Sequence, residues 1–372
     1  MQLDQASDTE PPQVIRVLGG PGGPVTGCSV HPDGTRVLIT NEQGIARLWE
    51  LPTGVLLATA DYTESGLDDC LLLDSRRALL IGNDGSAYLW DLLAGRARGD
   101  PLSTASGRFR GCRGIAAGLA ACLGCGDRSV HLLTVAADEL GSSLRIAHTC
   151  PHRHSVAGAA VVDGHTLLTL TDADSLSAWD IHSGQRLITQ SRQARRWREL
   201  VELLPQDQAE QDRGGEAHRA GRLRLRLLGF GGSSEARLAA WWIQAHDQAR
   251  AVAETVTSFD VGAWDTGPGV VAAALAEDAC RLATLDADGF VTLHARGGPD
   301  AAHTPKRVRR KAHTAAGHSV HFTGNGAGMV TAGHDGFVRL WNLERLLDDG
   351  SSRPDPAPPV IPRQSFPLHG WP

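Results

Sequence analysis

Short segments in which apolar and polar residues alternate recur along this chain, separated by turns that contain Gly, Asp, Asn or Pro. Close to the C-terminus, residues 320–322, 329–333 and 337–343 are three such segments. The Gly-rich residues 323–328 and the His-Asp-Gly sequence at 334–336 separate them. Alternation with a period of two between tight turns predicts three antiparallel strands in a meander. Because so small a sheet cannot bury its own faces, it needs neighbours of the same kind.

The same strand and turn pattern recurs from near the N-terminus onward. The residues predicted at the equivalent place in the third strand of each repeat are Trp49, Trp90, Leu133, Trp179, Trp241, His294 and Trp341. Four of the spacings are 41 to 47 residues, and the longest of these, 47 residues, includes the loop at 295–311. The other two are 62 residues from Trp179 to Trp241, which include 191–222, and 53 residues from Trp241 to His294. This period indicates seven repeats, each forming one small sheet.

The last repeat contains four polar residues at distinctive offsets. His313 precedes Asp335 by 22 residues, and Thr331 precedes it by four. Trp341 follows Asp335 by six residues. A buried imidazole, carboxylate and indole N–H must each find a hydrogen-bond partner, and a linked chain of them meets that need.

These offsets, with the Asp-Gly and Leu-Trp-Asn sequences, make the repeat resemble those of the WD-repeat β-propeller family. The resemblance implies a hydrogen-bonded tetrad in which Asp335 accepts from His313. His313 in turn links through Thr331 toward the indole of Trp341. The other repeats lack one or more of these residues, so we expect them to depend on apolar packing.

The expected fold is all-β, a seven-bladed β-propeller of four-stranded antiparallel blades. The last repeat has three predicted strands, and a spare apolar segment at 14–18 precedes the first repeat. Pairing of this N-terminal strand with the C-terminal blade would close the ring and remove an open sheet edge. One short helical insertion is predicted at 195–204, where Trp197, Leu200 and Leu204 fall on one helical face before a proline.

The chain divides into three predicted parts. Residues 1–12 are expected to be a flexible N-terminus, and 13–343 a propeller with an insertion at 191–222. Residues 344–372 contain many prolines and are expected to form an extended, flexible tail.

Composition limits the classes of partner and the compartment. The net charge of −6 gives no overall attraction to nucleic acid or to anionic membranes. No apolar segment approaches the length of a membrane span, and no signal peptide is recognised. The seven cysteines are an odd number spread along the chain, so we expect reduced thiols and a cytoplasmic location. Lysine occurs only at 306 and 311, which indicates a GC-rich genome and a bacterial source.

Two groups of residues could in principle hold a metal ion. Cys122 and Cys125 form a Cys-x-x-Cys sequence without a second pair, so we interpret them as packing residues. Cys150, His152 and His154 are the second group, and we interpret these histidines as ordinary surface or tetrad residues. We therefore predict no metal.

The C-terminal histidines form a further candidate metal group. If His313 belongs to the tetrad, it is not free to bind a metal ion. His318 and His321 should point to opposite faces of a strand, which argues against joint ligation. The Gly-rich turns lack the strand, helix and lysine of a phosphate loop, and no activated nucleophile is recognised. We predict no cofactor and no catalytic residue.

The resemblance implies partner binding on the ring face that carries the Asp-bearing turns, near the central opening. The candidate partner-binding residues are Glu42, Asn83, Asp172 and His334 in those turns and Trp197 in the predicted helix. Arg307, Arg309 and Arg310 are further candidates, and they lie in the basic segment at 306–311. We expect a non-catalytic protein–protein interaction scaffold, monomeric on its own, with another protein as partner. Such propellers sometimes accompany bacterial signalling or ATPase modules.

Two alternative functions remain open. One is a propeller enzyme, a hydrolase or lyase, with His, Asp, Glu or Arg side chains from several blades converging at the central channel. The other is an RNA- or anionic-lipid-binding module built on residues 306–311, for which the acidic chain offers little overall support.

Overall fold

The computed structural model describes much of the chain, including residues of every predicted repeat. The described ranges are 14–19, 22–31, 33–62, 66–92, 94–104, 108–116, 119–125, 128–138, 141–162, 166–172, 175–191, 199–203, 222–230, 235–244, 256–265, 269–276, 281–295, 306–324 and 326–348. Within the strands of 199–265 only the backbone is described.

The described residues form 28 strands and one helix. The N-terminal strand is β1 (Val14–Gly19), and three four-stranded sheets follow it. The first contains β2 (Val25–Val30), β3 (Arg36–Asn41), β4 (Ile45–Glu50) and β5 (Val55–Asp61). The second contains β6 (Leu67–Leu72), β7 (Arg77–Gly82), β8 (Ala87–Asp91) and β9 (Arg96–Leu102). The third contains β10 (Arg108–Ala116), β11 (Leu119–Cys125), β12 (Ser129–Asp138) and β13 (Gly141–Pro151).

Four further sheets follow along the chain. The fourth contains β14 (Val156–Val162), β15 (Thr166–Thr171), β16 (Ser175–Asp180) and β17 (Arg186–Ser191). The fifth contains β18 (Glu199–Leu203), β19 (Arg222–Phe230), β20 (Glu235–Gln244) and β21 (Val256–Asp265). The sixth contains β22 (Val270–Leu275), β23 (Arg281–Asp286), β24 (Phe290–Ala295) and β25 (Lys306–Lys311). The last contains β26 (Gly317–Phe322), β27 (Gly328–Gly333) and β28 (Phe337–Asn342), with β1 as its fourth strand.

The sheets are antiparallel and are arranged as in a propeller. The first strands contact one another in the order β2, β6, β10, β14, β18, β22, β26, and β26 returns to β2. These strands therefore surround the central channel. All the residues predicted at the third-strand position lie on the third strand of a sheet.

The two ends of the repeat region meet in the last sheet. β1 pairs with β28, with Val14 opposite Trp341 and Gly19 opposite Phe337. Val14 and Leu18 are buried, and Ile15 lies at an irregularity of the pairing and is exposed. The predicted pairing of the N-terminal strand with the C-terminal repeat is confirmed, and it covers the free edge of β28.

Apolar side chains fill the spaces between neighbouring sheets. Five such clusters are described. Two of them join the sixth sheet to the last and the last sheet to the first. The other three join the first sheet to the second, the second to the third, and the third to the fourth. Trp90 and Trp341 are fully buried in two of them. Burial of this apolar area is the main favourable contribution to holding the sheets together.

The predicted helical insertion is wrong where the structure describes it. Residues 199–203 are the strand β18, which pairs with β19 as the first strand of the fifth sheet. Leu200 and Val201 fit a helical face, but pairing in the sheet prevails over this local periodicity. The predicted insertion at 191–222 therefore overlaps sheet strands at both ends and includes β18. Trp197 lies outside the described residues.

The predicted flexible tail begins too early. Residues Leu343–Asp348 form the helix α1, which packs against β25 and β28. Leu343 and Leu346 are buried, and the side chain of Asn342 accepts a hydrogen bond from the Arg345 N–H at 2.9 Å, which caps the helix. The prolines farther along the chain favour an extended tail, but none of them lies within this short amphipathic segment. In the described parts of the chain, no helix has the length and apolar character needed to cross a membrane.

Candidate interaction face

One end of the propeller carries the turns between the second and third strands of the sheets, and we call it the turn face. Glu42, Asn83, Asp172 and His334 all lie in these turns and are exposed. The placement matches what the sequence pattern predicted for the turns. Whether these side chains contact a partner stays a prediction.

The tetrad residues lie in one linked set in the last sheet. The Trp341 indole donates to the Thr331 hydroxyl at 3.0 Å, and this hydroxyl lies 3.0 Å from His313 Nε2. His313 Nδ1 lies 2.9 Å from Asp335 Oδ1. If the Thr331 hydroxyl donates a hydrogen bond to Nε2, the neutral imidazole of His313 carries its proton on Nδ1. The Nδ1–H group then donates a hydrogen bond to the Asp335 carboxylate. The set fixes the turn before β28 against the loop before β26.

Asp335 holds more than the histidine. Its carboxylate accepts hydrogen bonds from the backbone N–H groups of Thr314 and Phe337. It also forms an ion pair with Arg339, whose guanidinium donates a hydrogen bond to it at 3.1 Å. Burial alone would raise the pKa of Asp335, but the His313 hydrogen bond and the positive charge of Arg339 hold it well below its ordinary value. The carboxylate is therefore ionised at neutral pH.

The fourth sheet contains three of the four tetrad members, and the sequence reasoning recognised Thr169 and Trp179 but did not link His152 to them. His152 Nε2 lies 2.7 Å from the Thr169 hydroxyl, and the Trp179 indole donates to the same hydroxyl at 3.0 Å. His152 Nδ1 is buried without a hydrogen-bond partner. Of the two alternatives for His152, a surface residue or a tetrad residue, these hydrogen bonds support the tetrad. The distance of 17 residues from His152 to Thr169, close to the 18 between His313 and Thr331, was the signal.

The first strands share an irregularity at the turn face. In six of the described first strands the pairing shifts by one residue next to the turn. The shifted residues are Thr26, Asp68, Arg110, Ala157, Val271 and His318. Such bulges re-aim a side chain and often occur at functional sites. They place chemically different residues around the channel mouth, and the sequence reasoning did not predict them.

A carboxylate connects the second and third sheets beside the channel. Asp69, on β6, accepts from the backbone N–H of Cys112, on β10, at 3.0 Å and from that of Cys70 at 2.8 Å. Arg113 Nη1 lies 3.6 Å from the same carboxylate, and its side chain is 40% exposed. Burial raises the pKa of Asp69, while Arg113 and the backbone donors lower it.

Three histidines lie at the part of the channel mouth formed by the last sheet. The rings of His318 and His334 are 5.9 Å apart. Burial lowers the pKa of both His318 and His321 to about 4, and the positive charge of Arg113 acts in the same direction on each. The predicted opposite orientation of His318 and His321 assumed regular alternation, which the bulge at His318 interrupts.

Three cysteines occupy equivalent positions on neighbouring first strands. Cys28, Cys70 and Cys112 each follow a bulge by two residues, and all are buried and free. Burial raises the pKa of Cys28 to about 12, and it also raises the pKa of Cys122, which lies opposite Cys112, well above its ordinary value. These thiols stay protonated at neutral pH and are poor nucleophiles.

The basic segment forms the outer strand β25. Arg309 pairs with Asp286 at 2.7 Å, and its guanidinium lies 4.1 Å from the ring centre of Phe290. Arg307 and Arg310, the other two candidates, lie on the same strand and are half-buried. Charged residues on an outer strand protect a sheet edge from unwanted pairing. This position is the outer rim of the ring, away from the channel.

The candidate metal ligands do not assemble in the described part of the chain. Among those residues, no group of three or more His, Cys, Asp or Glu side chains could hold a metal ion. Cys122 packs in the core between the second and third sheets, and the side chain of Cys125 lies outside what is described.

Comparison with known protein families identifies the repeats at the two ends. Residues 12–50 and 307–342 match the WD domain, G-beta repeat. No curated protein sequence matches the chain. The two matches and the propeller arrangement of the sheets support a WD-repeat β-propeller family. Such propellers are generally protein-interaction scaffolds.

Proposed function

We propose that this protein is a non-catalytic scaffold that binds one protein partner through the turn face. The observation that carries the proposal is the diversity of the groups around the channel mouth. The bulges present Thr26, Asp68, Arg110, Val271 and His318 at equivalent places in different sheets. An asymmetric set of this kind fits a single specific partner better than a ligand repeated in every blade.

The rigidity of the fold supports a scaffold. We infer that the seven four-stranded sheets are the seven blades of one ring, because each first strand contacts the next and the last returns to the first. The ring spans residues 13–343 in this proposal. Pairing of β1 with β28 then holds both chain ends in one blade, so the face can bind a partner without rearranging.

Convergence of titratable groups at the channel is the feature expected of an enzyme. Asp69, Arg113, His318 and His321 do come from three different sheets. Their chemical state favours binding instead. The nearby thiols are protonated, Asp69 is already engaged by two backbone donors, and imidazoles with a pKa of about 4 are weak bases at neutral pH.

The compartment and assembly follow from the same proposal. The five described free cysteines agree with a reducing compartment, so we place the scaffold in the cytoplasm. We propose that the propeller is monomeric until it binds its partner, and that this partner belongs to a bacterial signalling or ATPase-associated complex.

Affinity capture with paired variants tests the proposal. The purified chain is used to capture proteins from a lysate of the source organism, with quantitative mass spectrometry as the readout. The double variant Asn83→Ala and His334→Ala removes exposed turn-face side chains, and Arg76→Ala removes an exposed side chain at the opposite end. We expect one captured protein to be lost when the double variant is used and to be retained when Arg76→Ala is used. Equal capture by all three forms would contradict it.

A further inference from the structure

A polar cavity lies on the second sheet, at the end of the ring opposite the turn face. It has a volume of about 530 Å³. This volume lies within the range of about 300–1,000 Å³ that is common for small-molecule sites. The charged and hydroxyl side chains that line the cavity come from the turn between β6 and β7 and from the three strands that follow. They are Asp74, Ser75, Arg76, Arg77, Asp91 and Arg98.

Two ion pairs hold the walls of the cavity in place. Arg77 donates from Nε and Nη2 to Asp74 Oδ2, at 2.8 and 2.7 Å. Arg98 donates from Nε and Nη2 to Asp91 Oδ2, at 2.8 and 2.5 Å. Arg77 and Asp91 are opposite each other in the pairing of β7 with β8, so the two ion pairs are neighbours on one sheet. Because three of these four residues belong to paired strands, the cavity has a defined shape before any ligand binds.

Both carboxylates are already engaged by donors of the protein. Asp74 Oδ1 accepts from the backbone N–H groups of Arg76 and Arg77, at 2.8 and 2.7 Å. Asp91 Oδ1 accepts from the backbone N–H of Ala94 at 2.9 Å. Burial alone would raise the pKa of Asp74, but these hydrogen bonds and the charge of Arg77 hold it below its ordinary value. Each carboxylate therefore balances the charge of the arginine paired with it, and little acceptor capacity remains for the guanidinium of Arg76.

Two guanidiniums beside this cavity have no carboxylate partner among the described residues. Arg76 lines the cavity and is exposed, and within those residues its guanidinium has neither a hydrogen-bond nor an ion-pair partner. Arg36, at the start of β3 in the first sheet, donates from Nη1 to the carbonyl oxygen of Ser75 at 2.8 Å. The rim of the cavity is therefore positively charged, although the chain as a whole has a net charge of −6.

We propose that this cavity binds a phosphate group, carried by a small molecule or as inorganic phosphate. The two negative charges of a phosphate match the two guanidiniums that have no carboxylate partner, whereas a carboxylate would balance only one of them. A guanidinium presents its N–H donors in a planar fork that suits phosphate oxygens. The hydroxyl of Ser75, which is exposed beside Arg76, adds a further donor. The site goes beyond the proposed function, since it lies away from the turn face.

Isothermal titration calorimetry of the purified full-length chain tests the inference. Inorganic phosphate, glycerol 3-phosphate and acetate are titrated separately at constant ionic strength in a buffer without phosphate. We expect saturable binding of a phosphate compound at one site per chain, and binding of acetate that is weaker by at least about tenfold. Tighter binding of glycerol 3-phosphate assigns a phosphate ester, and equal or tighter binding of inorganic phosphate assigns the free ion. No saturable binding of either phosphate, or equally tight binding of acetate, would overturn the proposal.

Three variants locate the binding site. Arg76→Ala removes an exposed guanidinium and leaves both ion pairs in place, so it should weaken phosphate binding by about tenfold or more without lowering the melting temperature. Ser75→Asp adds a carboxylate at the rim and should also weaken phosphate binding. Arg345→Ala is the matched control, because it removes an exposed arginine from α1, and it should change neither quantity. Phosphate binding that is unchanged by Arg76→Ala, or weakened equally by Arg345→Ala, would overturn the site.

The outcome separates this inference from the proposed function. Arg76→Ala should lose phosphate binding and still capture the protein partner. The double variant Asn83→Ala and His334→Ala should lose the partner and still bind phosphate. Phosphate binding with partner capture independent of the turn face would refute the scaffold proposal alone. Partner capture through the turn face without any phosphate binding would refute the cavity alone.

Discussion

Replacing Asp335 with alanine tests what the tetrad contributes to stability. The change leaves the buried Nδ1–H of His313 without an acceptor, since the His313 side chain is 0% exposed and its partner lies 2.9 Å away. It also removes the carboxylate 3.1 Å from Arg339, whose side chain is 7% exposed. A buried donor left unpaired costs about 1–3 kcal/mol, and more when a charged group loses its partner.

We expect Asp335→Ala to lower the free energy of unfolding by about 3 kcal/mol, measured by urea denaturation at neutral pH. Asp335→Asn keeps an oxygen for His313 but loses the charge, so its cost should be smaller, about 1–2 kcal/mol. Asp33→Ala is the matched control. Asp33 also accepts bonds in a turn but is exposed, at 52% for its side chain, and its loss should cost under about 1 kcal/mol. Equal effects of Asp335→Ala and Asp33→Ala would refute the reasoning.

The pH dependence of the same difference provides an independent check. The pKa of Asp335 is lower in the folded protein than in the unfolded chain, where a carboxyl titrates near about 3.9. Its contribution to stability is thus fully present above that unfolded value and is lost as pH falls toward the folded one. The stability gap between wild type and Asp335→Asn should be constant from pH 8 to about 5 and shrink below about pH 4. A gap that grows in acid would contradict the ion-paired geometry.

Three other changes test separate parts of the fold. Deleting residues 1–18 removes most of β1 and should lower the melting temperature of the whole protein, whereas a truncated chain that melts like the full one would contradict ring closure. Residue 173 follows Thr169 by four positions, as Asp335 follows Thr331, so Ala173→Asp should supply the carboxylate that His152 lacks. We expect this variant to gain about 1 kcal/mol of stability in urea denaturation. An unchanged stability would contradict the interpretation of this set as an incomplete tetrad. Leu346→Ala in α1 should cost about 2–4 kcal/mol, against little change for the exposed Glu344→Ala, and equal melting of the two would show that α1 does not pack.

The repeat architecture could be predicted because it depends on a pattern carried by many residues. Alternation, turn chemistry and the recurring third-strand position all point to small antiparallel sheets, and they agree from repeat to repeat. The pairing of β1 with β28 followed from counting strands, since the last repeat lacked one. A fault in one repeat, such as Leu133 replacing Trp, does not disturb that inference.

Local patterns misled where tertiary pairing decided the structure. Residues 199–203 satisfy a helical periodicity over so short a length that strand pairing with β19 outweighs it. In α1 the opposite happened, because the nearby prolines obscured the capping by Asn342 and the buried Leu346. Both segments are too short for periodicity alone to choose between states.

The site chemistry was harder to predict because it arises between sheets. Asp69 and Arg113 are 44 positions apart, and only the ring brings them to 3.6 Å. The bulge that places His318 depends on a one-residue shift in pairing, which no residue type encodes. The turn residues Glu42 and His334 could be placed on the turn face because a turn is a local structure.

Hydrogen–deuterium exchange of the full chain, with and without its captured partner, tests the central claim most directly. We expect slower exchange in the turns at 42–44, 83–85 and 334–336 and at the bulges of the neighbouring first strands when the partner is bound. The opposite end, including the turn at 73–76 and α1, should exchange at the same rate in both states. Protection confined to that opposite end, or to the outer strand β25, would contradict a partner-binding turn face.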